Sequence, residues 1–577
     1  MMLRRLYVLG LPLLLMFLSG VVLGCYFETN DDLTIIALLR GTTAAAPVID
    51  LHLYFHGYAA LWSRLYAAAP YQPWYAYTLY GLLYLAAVLM VAVLRRLLQA
   101  HTERWWGLVF IVLIWGVAWL EHGFWFNYAR VPVLLAGAGL LFAAQRAPTR
   151  HALILGLLAF GLAWLIRPSA ALLGVVAALP GAWWLAGRRS LPLLAGIGTW
   201  AVVGALWLNL TWSPAAATFR RLDVLKSNLN DFQLTAPPLQ PLSPRDSLGL
   251  AAARHWLLTD STLINEAFFA RAAPFRPEYF LQHTAPSKLR ALLVQLARDY
   301  FPMLLLVLAT WALVLRHRVS DWQFWLGQLA YVSLILGLGT LLKLPPRLAL
   351  PLLDFWVLSN LVFLFRLPAS LLPRNPVRAL LLVLAVVALP YGYKTWHRRG
   401  VLTQERLRNR IERQLILASS AILSPDERRA LLLTPMQRNE LYRLPRARVI
   451  VSDALEETYK SESPFTEGHP FARPYSYVLA SPNRYLSIMG WQTLHPAQTA
   501  LLHHLTGTRN FTAALRRLGA RPDVAWVLTP NGAALLNWQL TLERRPSQPV
   551  MQLFPVELES KRGARAQVYR MRTKFSQ

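Results

Sequence analysis

Apolar residues come along this chain in runs of about twenty, the length that carries a helix across a bilayer, and without the polar stripe of a surface helix. Such runs lie near residues 6–25, 76–95, 105–121, 128–145, 151–166, 170–187, 191–210, 295–315, 323–342, 347–366 and 377–393. They predict about eleven transmembrane helices within residues 1–393. Arg167-Pro168 and Pro345-Pro346 leave little chain between neighbouring runs, so both read as tight hairpins where proline ends a helix. Two polar stretches break the rhythm. Residues 211–294, with Pro237-Pro238 and Pro241, read as a folded loop with short helices. Residues 394–577 read as a small α/β domain. In it Gln404 to Leu417 forms a basic amphipathic helix along the membrane surface, Val524 to Leu528 a strand, and Pro530-Asn531-Gly532 a turn before a short helix. The expected fold is mainly α: a polytopic membrane protein carrying a C-terminal extracytoplasmic α/β domain.

Charge supports this reading and orients it. Only 15% of residues are charged and 55% are hydrophobic, against about 25% charged in a soluble domain, which excludes a disordered chain. The single cysteine excludes a disulfide scaffold and a cysteine-rich metal site. The net charge of +29 could suggest nucleic acid, but the arginines sit between the apolar runs, where they set topology. Arg4-Arg5, Arg95-Arg96 with Arg104, Arg146 with Arg150, Arg188-Arg189, Arg316 with Arg318, and Arg366 through Arg378 occupy alternate connections, and this side is cytoplasmic. The other side receives 26–75, 122–127, 167–169, 211–294, 343–346 and the tail. The first run ends in Val22-Leu23-Gly24-Cys25, which approaches a lipoprotein cleavage site; the bulky Leu23 and the later spans favour keeping it as the first helix.

The chemistry concentrates at one boundary. The first run continues as Tyr26-Phe27-Glu28-Thr29-Asn30-Asp31-Asp32, and three acids within five residues are costly there unless solvated or paired. Asn30 or Asp31 could cap the short helix 33–40, but a cap needs one such residue, not two aspartates beside a glutamate.

An acidic pair just after the first helix, in a long first outer loop, resembles the C superfamily of membrane glycosyltransferases (GT-C). This superfamily includes protein O-mannosyltransferases, the aminoarabinose transferase of lipid A and oligosaccharyltransferases. The resemblance implies an inverting hexosyl- or pentosyltransferase of a bacterial inner membrane. It would take sugar from a polyprenyl phosphate donor and pass it to an envelope glycan, lipid or protein. Asp31 matches the family's first acidic position, with Asp32 beside it, as the catalytic pair.

The reaction also needs cations for the leaving phosphate. Basic residues on the outer side break the positive-inside pattern: Arg130, Arg167 in Ile166-Arg167-Pro168, and Lys343 with Arg347 around Pro345-Pro346. Each serves as a phosphate ligand or simply snorkels to the interface. Glu121-His122 ends the third run on the same side, and with Glu28 completes the candidate binding set. In oligosaccharyltransferases a second acidic motif near here helps to bind a divalent metal. This chain has one acid and one histidine in its place, which leaves metal dependence open. His52 and His56, four apart, show no third ligand nearby. There is no Gly-rich nucleotide loop and no His-Glu-x-x-His helix. Membrane lipids and the polyprenyl-linked donor are the expected partners, and nucleic acid is not.

Three rivals remain. A flippase or transporter of lipid-linked saccharide would need polar residues lining several spans. A surface-polysaccharide polymerase or ligase would use the same donors. A membrane anchor for a basic tail would bind acidic polymer.

Overall fold

The computed structural model describes residues 2–52, 54–317, 321–367, 376–419, 449–466, 484–555 and 566–574. The protein is mainly helical. Among the described residues six helices are long and apolar enough to cross a membrane: Trp74–Leu98, Arg104–Phe124, Pro168–Thr211, Trp322–Leu341, Pro346–Phe365 and Val377–Arg413. A seventh is the pair Pro277–Asp299 and Phe301–Arg316, bent by 83°, if it counts as one span. Tyr7–Leu23, Arg130–Gln145 and Arg150–Ile166 are apolar but shorter. This measure counts six helices, or seven with the bent pair, against the eleven spans expected, and it takes Pro168–Thr211 as one helix.

The 44-residue stretch Pro168–Thr211 folds back on itself. Gly156 lies against Leu193, Gly161 against Trp200 and Gly204 against Trp164, so Leu191–Thr211 runs parallel to Arg150–Ile166. Arg130–Gln145 runs antiparallel to Arg150–Ile166, through Gly139 on Ala159 and Gly156 on Ala143. It runs parallel to Pro168–Ala186, through Gly174 on Val133 and Gly181 on Leu141. The direction therefore reverses at Gly187–Ser190. Small residues permit this closeness, since lipid gives helices no hydrophobic reason to associate and packing must hold them.

The connections sort to two ends of the bundle. At one end His101 Nε2 bonds the Phe365 carbonyl (2.8 Å), Arg146 donates to the Ala92 carbonyl (3.2 Å), and Arg366 pairs with Asp321 (3.4 Å). At the other end β1 (Tyr26–Phe27) pairs with β2 (Trp125–Phe126), Phe55 N–H donates to the Ile166 carbonyl (2.7 Å), and Lys343 meets Asp231 (3.2 Å). This is the partition that the arginine pattern gives.

That second end carries a five-stranded sheet. Its strands are β3 (Val449–Ser452), β4 (Arg484–Ser487), β5 (Val524–Leu528), β6 (Val550–Pro555) and β7 (Gln567–Lys574), in the order β4-β3-β5-β7-β6. The first three are parallel and β7 is antiparallel to both neighbours. The strand expected over Val524 to Leu528 is present. Pro530-Asn531-Gly532 is not a turn but the first turn of the helix Pro530–Leu542, because Thr529 Oγ1 accepts from Gly532 N–H and proline suits the first helical position. Residues 211–294 share an apolar core with this sheet, with Leu248 and Phe268 in one cluster with Leu515 and Trp526.

The helix Pro376–Ser419 is continuous through residue 394, the expected domain boundary. The segment expected to lie along the membrane surface instead prolongs the last span. Arg410 and Arg413 on this extension grip Glu462 (2.6 and 2.9 Å), which ties the sheet domain to the bundle.

Candidate functional site

The acidic segment opens the helix Asp31–Arg40. Its N-cap, Asn30, makes no side-chain capping bond and donates instead to Glu457 Oε1 (3.1 Å). Capping thus does not account for the acids. The two aspartates face different surroundings. Asp32 is fully buried and accepts from Tyr75 Oη (2.8 Å), Asn127 Nδ2 (3.2 Å) and Tyr128 N–H (3.1 Å). Burial pushes its carboxyl well above the usual range, against the Tyr75 hydrogen bond and with the Asp31 charge adding to the rise. Asp31 is only half-buried, accepting from Thr29 Oγ1 (3.2 Å) and Trp491 Nε1 (3.2 Å).

A ring of contacts closes around Asp31. Trp491 meets Tyr54 edge-on (5.3 Å between centroids), and Tyr54 meets Tyr128 likewise (5.7 Å). Arg167 lies 5.2 Å over the Tyr54 ring and donates to Tyr128 Oη (3.1 Å), and Tyr128 N–H returns to Asp32. Burial lifts the Tyr128 phenol to about 12, with the charges of Arg167, Asp31, Arg347 and Asp32 all acting on it. The Arg167-Pro168 hairpin lifts its guanidinium to the bundle's end, and the tight loop at Phe55, with φ of 55°, is pinned to it by the Ile166 carbonyl.

The remaining candidates form a second, buried network. Arg130, with no exposure, donates to Glu28 Oε2 through Nη2 (2.8 Å) and Nε (3.3 Å). Its Nη1 lies 3.3 Å from His122 Nδ1, and a guanidinium can only donate. Nδ1 is therefore the acceptor, and Nε2–H donates to Asp354 Oδ2 (2.6 Å). A π-helical turn, Trp115–Trp119, precedes Glu121 and His122 in the third helix. Arg347 is half-buried with, among the described residues, only a long contact to Glu28 (3.8 Å), and Glu28 is already engaged by Arg130. Glu121 binds Arg398 (2.8 Å) and Tyr391 Oη (2.5 Å). Lys343 is exposed beside Asp231, outside both groups.

Asp31, Asp32 and Arg167 thus come together around Tyr128, on which the Arg347 charge also acts, Glu28, Arg130 and His122 stand behind them with Arg347 against Glu28, and Glu121 and Lys343 pair elsewhere. Trp491, Asp354 and Arg398 were not legible as partners. Asp354 had a signal, a lone acid inside the apolar run 347–366, whereas Trp491 arrives from the sheet domain with none. Among the described residues no three His, Cys, Asp or Glu side chains converge as metal ligands. Glu28 and Glu121 are taken by arginines, so the set around Glu121-His122 does not fit a divalent metal. His52 stacks on His495 (5.2 Å) and pairs with Asp50 (3.0 Å). No family model, curated protein or solved structure matches this chain.

Proposed function

We propose that the protein is a multi-pass glycosyltransferase of a bacterial inner membrane, working on the outer face with a polyprenyl phosphate sugar donor. One observation carries the reading: Asp31 is a half-buried carboxylate with no ion pair among the described residues, in a ring with Arg167, whose charge acts on it without a salt bridge, and with Tyr128, on which the Arg347 charge also acts. A buried acid nearby, Asp32, is consumed in holding that ring.

In this mechanism the acceptor hydroxyl gives its proton to Asp31 as its oxygen bonds to the sugar's anomeric carbon. The bond from that carbon to the donor phosphate breaks, and its electron pair leaves on the phosphate oxygen. Arg347 and Arg167 stabilise that charge. Glu28 is neutralised by Arg130, so Arg347 keeps its charge for the phosphate. Asp32 positions Asn127 and Tyr128. The acceptor, a glycan, lipid or protein, approaches between the first loop and the sheet domain.

General-base removal costs roughly 10²–10⁴ in rate. Mass spectrometry of envelope glycans and lipids in cells carrying wild type, Asp31→Asn or Arg347→Gln at matched membrane levels tests this. Loss of one sugar increment with accumulation of its lipid-linked donor is expected for both variants. An unchanged profile beside a clear deletion phenotype would remove the transferase reading.

A second reading has its own observation. Glu28, Arg130, His122 and Asp354 form a hydrogen-bonded polar chain running inward between apolar helices, the kind of lining that transport requires. Donor movement across proteoliposomes that survives Asp31→Asn but not Asp354→Asn would favour a flippase.

A further inference from the structure

Helix Ala285–Asp299 has its depth set at both ends. At its start Lys288 Nζ donates to the Leu342 carbonyl, which closes the apolar helix Trp322–Leu341, and to the Phe232 carbonyl (2.8 Å). At its end Tyr300 turns the chain through 83° into the apolar helix Phe301–Arg316. It therefore spans the ends of two apolar helices on the side that carries the sheet domain, in the plane where a bilayer would finish. Its inner face is held close: Leu292 is buried on Gly339, where a Cβ would collide with it.

The opposite face has two halves. At about 100° per residue, Leu293 and Ala297 share one edge, and Arg290, Val294, Ser287 and Arg298 follow around the exposed face. Leu293 and Val294 are 52% and 54% exposed, a cost in water that the acyl region relieves. Ser287, Arg290, Val294, Gln295 and Arg298 form one open face of this helix. The neighbouring cations are spent: Arg298 on Asp299 (3.1 Å), Lys343 on Asp231, Lys288 on two carbonyls. Arg290, among the described residues, has no carboxylate or carbonyl partner.

We propose that this helix lies flat in the membrane interface and seats the headgroup of an anionic phospholipid, with Arg290 as the phosphate ligand; the Ser287 hydroxyl, one turn earlier, is already donated to the Thr284 carbonyl (2.8 Å). The lipid's chains lie against Leu293 and Ala297. A phosphate at headgroup level supplies the negative charge that Arg290 lacks. The inference needs only the protein's insertion in a membrane, and it stands or falls apart from the transferase reading.

Native mass spectrometry of the delipidated full-length protein tests it, with phosphatidylglycerol and phosphatidylcholine of identical chains added in parallel. Wild type should retain phosphatidylglycerol preferentially. Arg290→Gln, on an exposed position that should not alter melting, should reduce that preference about fivefold, the effect of one interfacial cation. Arg221→Gln, which removes a distant exposed arginine paired with Glu266, should leave it unchanged. No preference in wild type, the same preference in Arg290→Gln, or equal losses in both variants would overturn the proposal.

Discussion

At the scale of single residues, neighbours in sequence diverge by what surrounds them. Asp31 and Asp32 are chemically identical, yet only Asp32 is sealed among Tyr75, Asn127 and Tyr128. Asp32→Ala should therefore lower the melting temperature by several degrees, since it strands three buried donors at roughly 1–3 kcal/mol each, while Asp31→Asn leaves melting nearly unchanged. Equal melting of the two variants would contradict this division. Glu456 in the sheet domain offers a pH test. Burial raises its carboxyl from 4.5 to about 8, against hydrogen bonds from Ser487 and Gln492. Its folded-state value lies above its unfolded one, so the folded protein binds the extra proton and loses stability as pH rises from about 4.5 to 8. Glu456→Gln, which keeps the shape without the charge, should melt above wild type at pH 8. The gap should vanish near pH 4, and a gap independent of pH would rule out the titration.

At the scale of helices, the apolar pattern marks which helices are long and apolar enough to cross a membrane but not how they meet. Gly174 rests on the backbone of Val133, and a methyl group there would overlap the carbonyl oxygen. Gly337 has nothing near it. Gly174→Ala should push Pro168–Ala186 off Arg130–Gln145 at a cost of roughly 1–3 kcal/mol, whereas Gly337→Ala is harmless or mildly stabilising. Melting curves in one detergent compare the two directly. Among polar devices, Gln328 bonds Asn360 (2.9 Å) and Asn360 bonds Thr310 (3.0 Å), joining three apolar helices by satisfied amides. These bonds read as structural pins, in contrast to the His122–Asp354 pair, whose second carboxylate oxygen has no hydrogen-bond partner among the described residues.

At the scale of the whole molecule, the sheet domain is coupled to the bundle rather than tethered to it. Trp491 closes on Asp31, and Glu462 receives Arg410 and Arg413 from the long last helix. Burial pushes the Glu462 carboxyl up, but the Arg410 hydrogen bond and the Arg413 charge outweigh it and hold it at about 2, below its ordinary 4.5. Its stabilisation is thus complete above pH 4.5 and is lost as pH falls towards 2. Glu462→Gln should mimic that loss at neutral pH, increasing proteolysis between the last helix and the sheet. Cleavage unchanged from wild type would mean that other contacts, such as Trp491 on Asp31, bear the docking.

The sequence by itself determined what depends on local composition. It marked the apolar runs, the alternation of arginine-bearing connections, the strand at Val524 to Leu528 and the acids at one boundary, because hydrophobic length and charge act where they stand. It could not separate Asp31 from Asp32, pair Arg130 with Glu28 across about a hundred residues of chain, or bring Trp491 to the first loop. It also read 394 as a boundary inside an unbroken helix, and Pro530 as a turn rather than a helix start. Those outcomes rest on burial and on partners distant in sequence. Only the packed bundle and the docked sheet decide which charge is buried among partners and which is left without an ion pair.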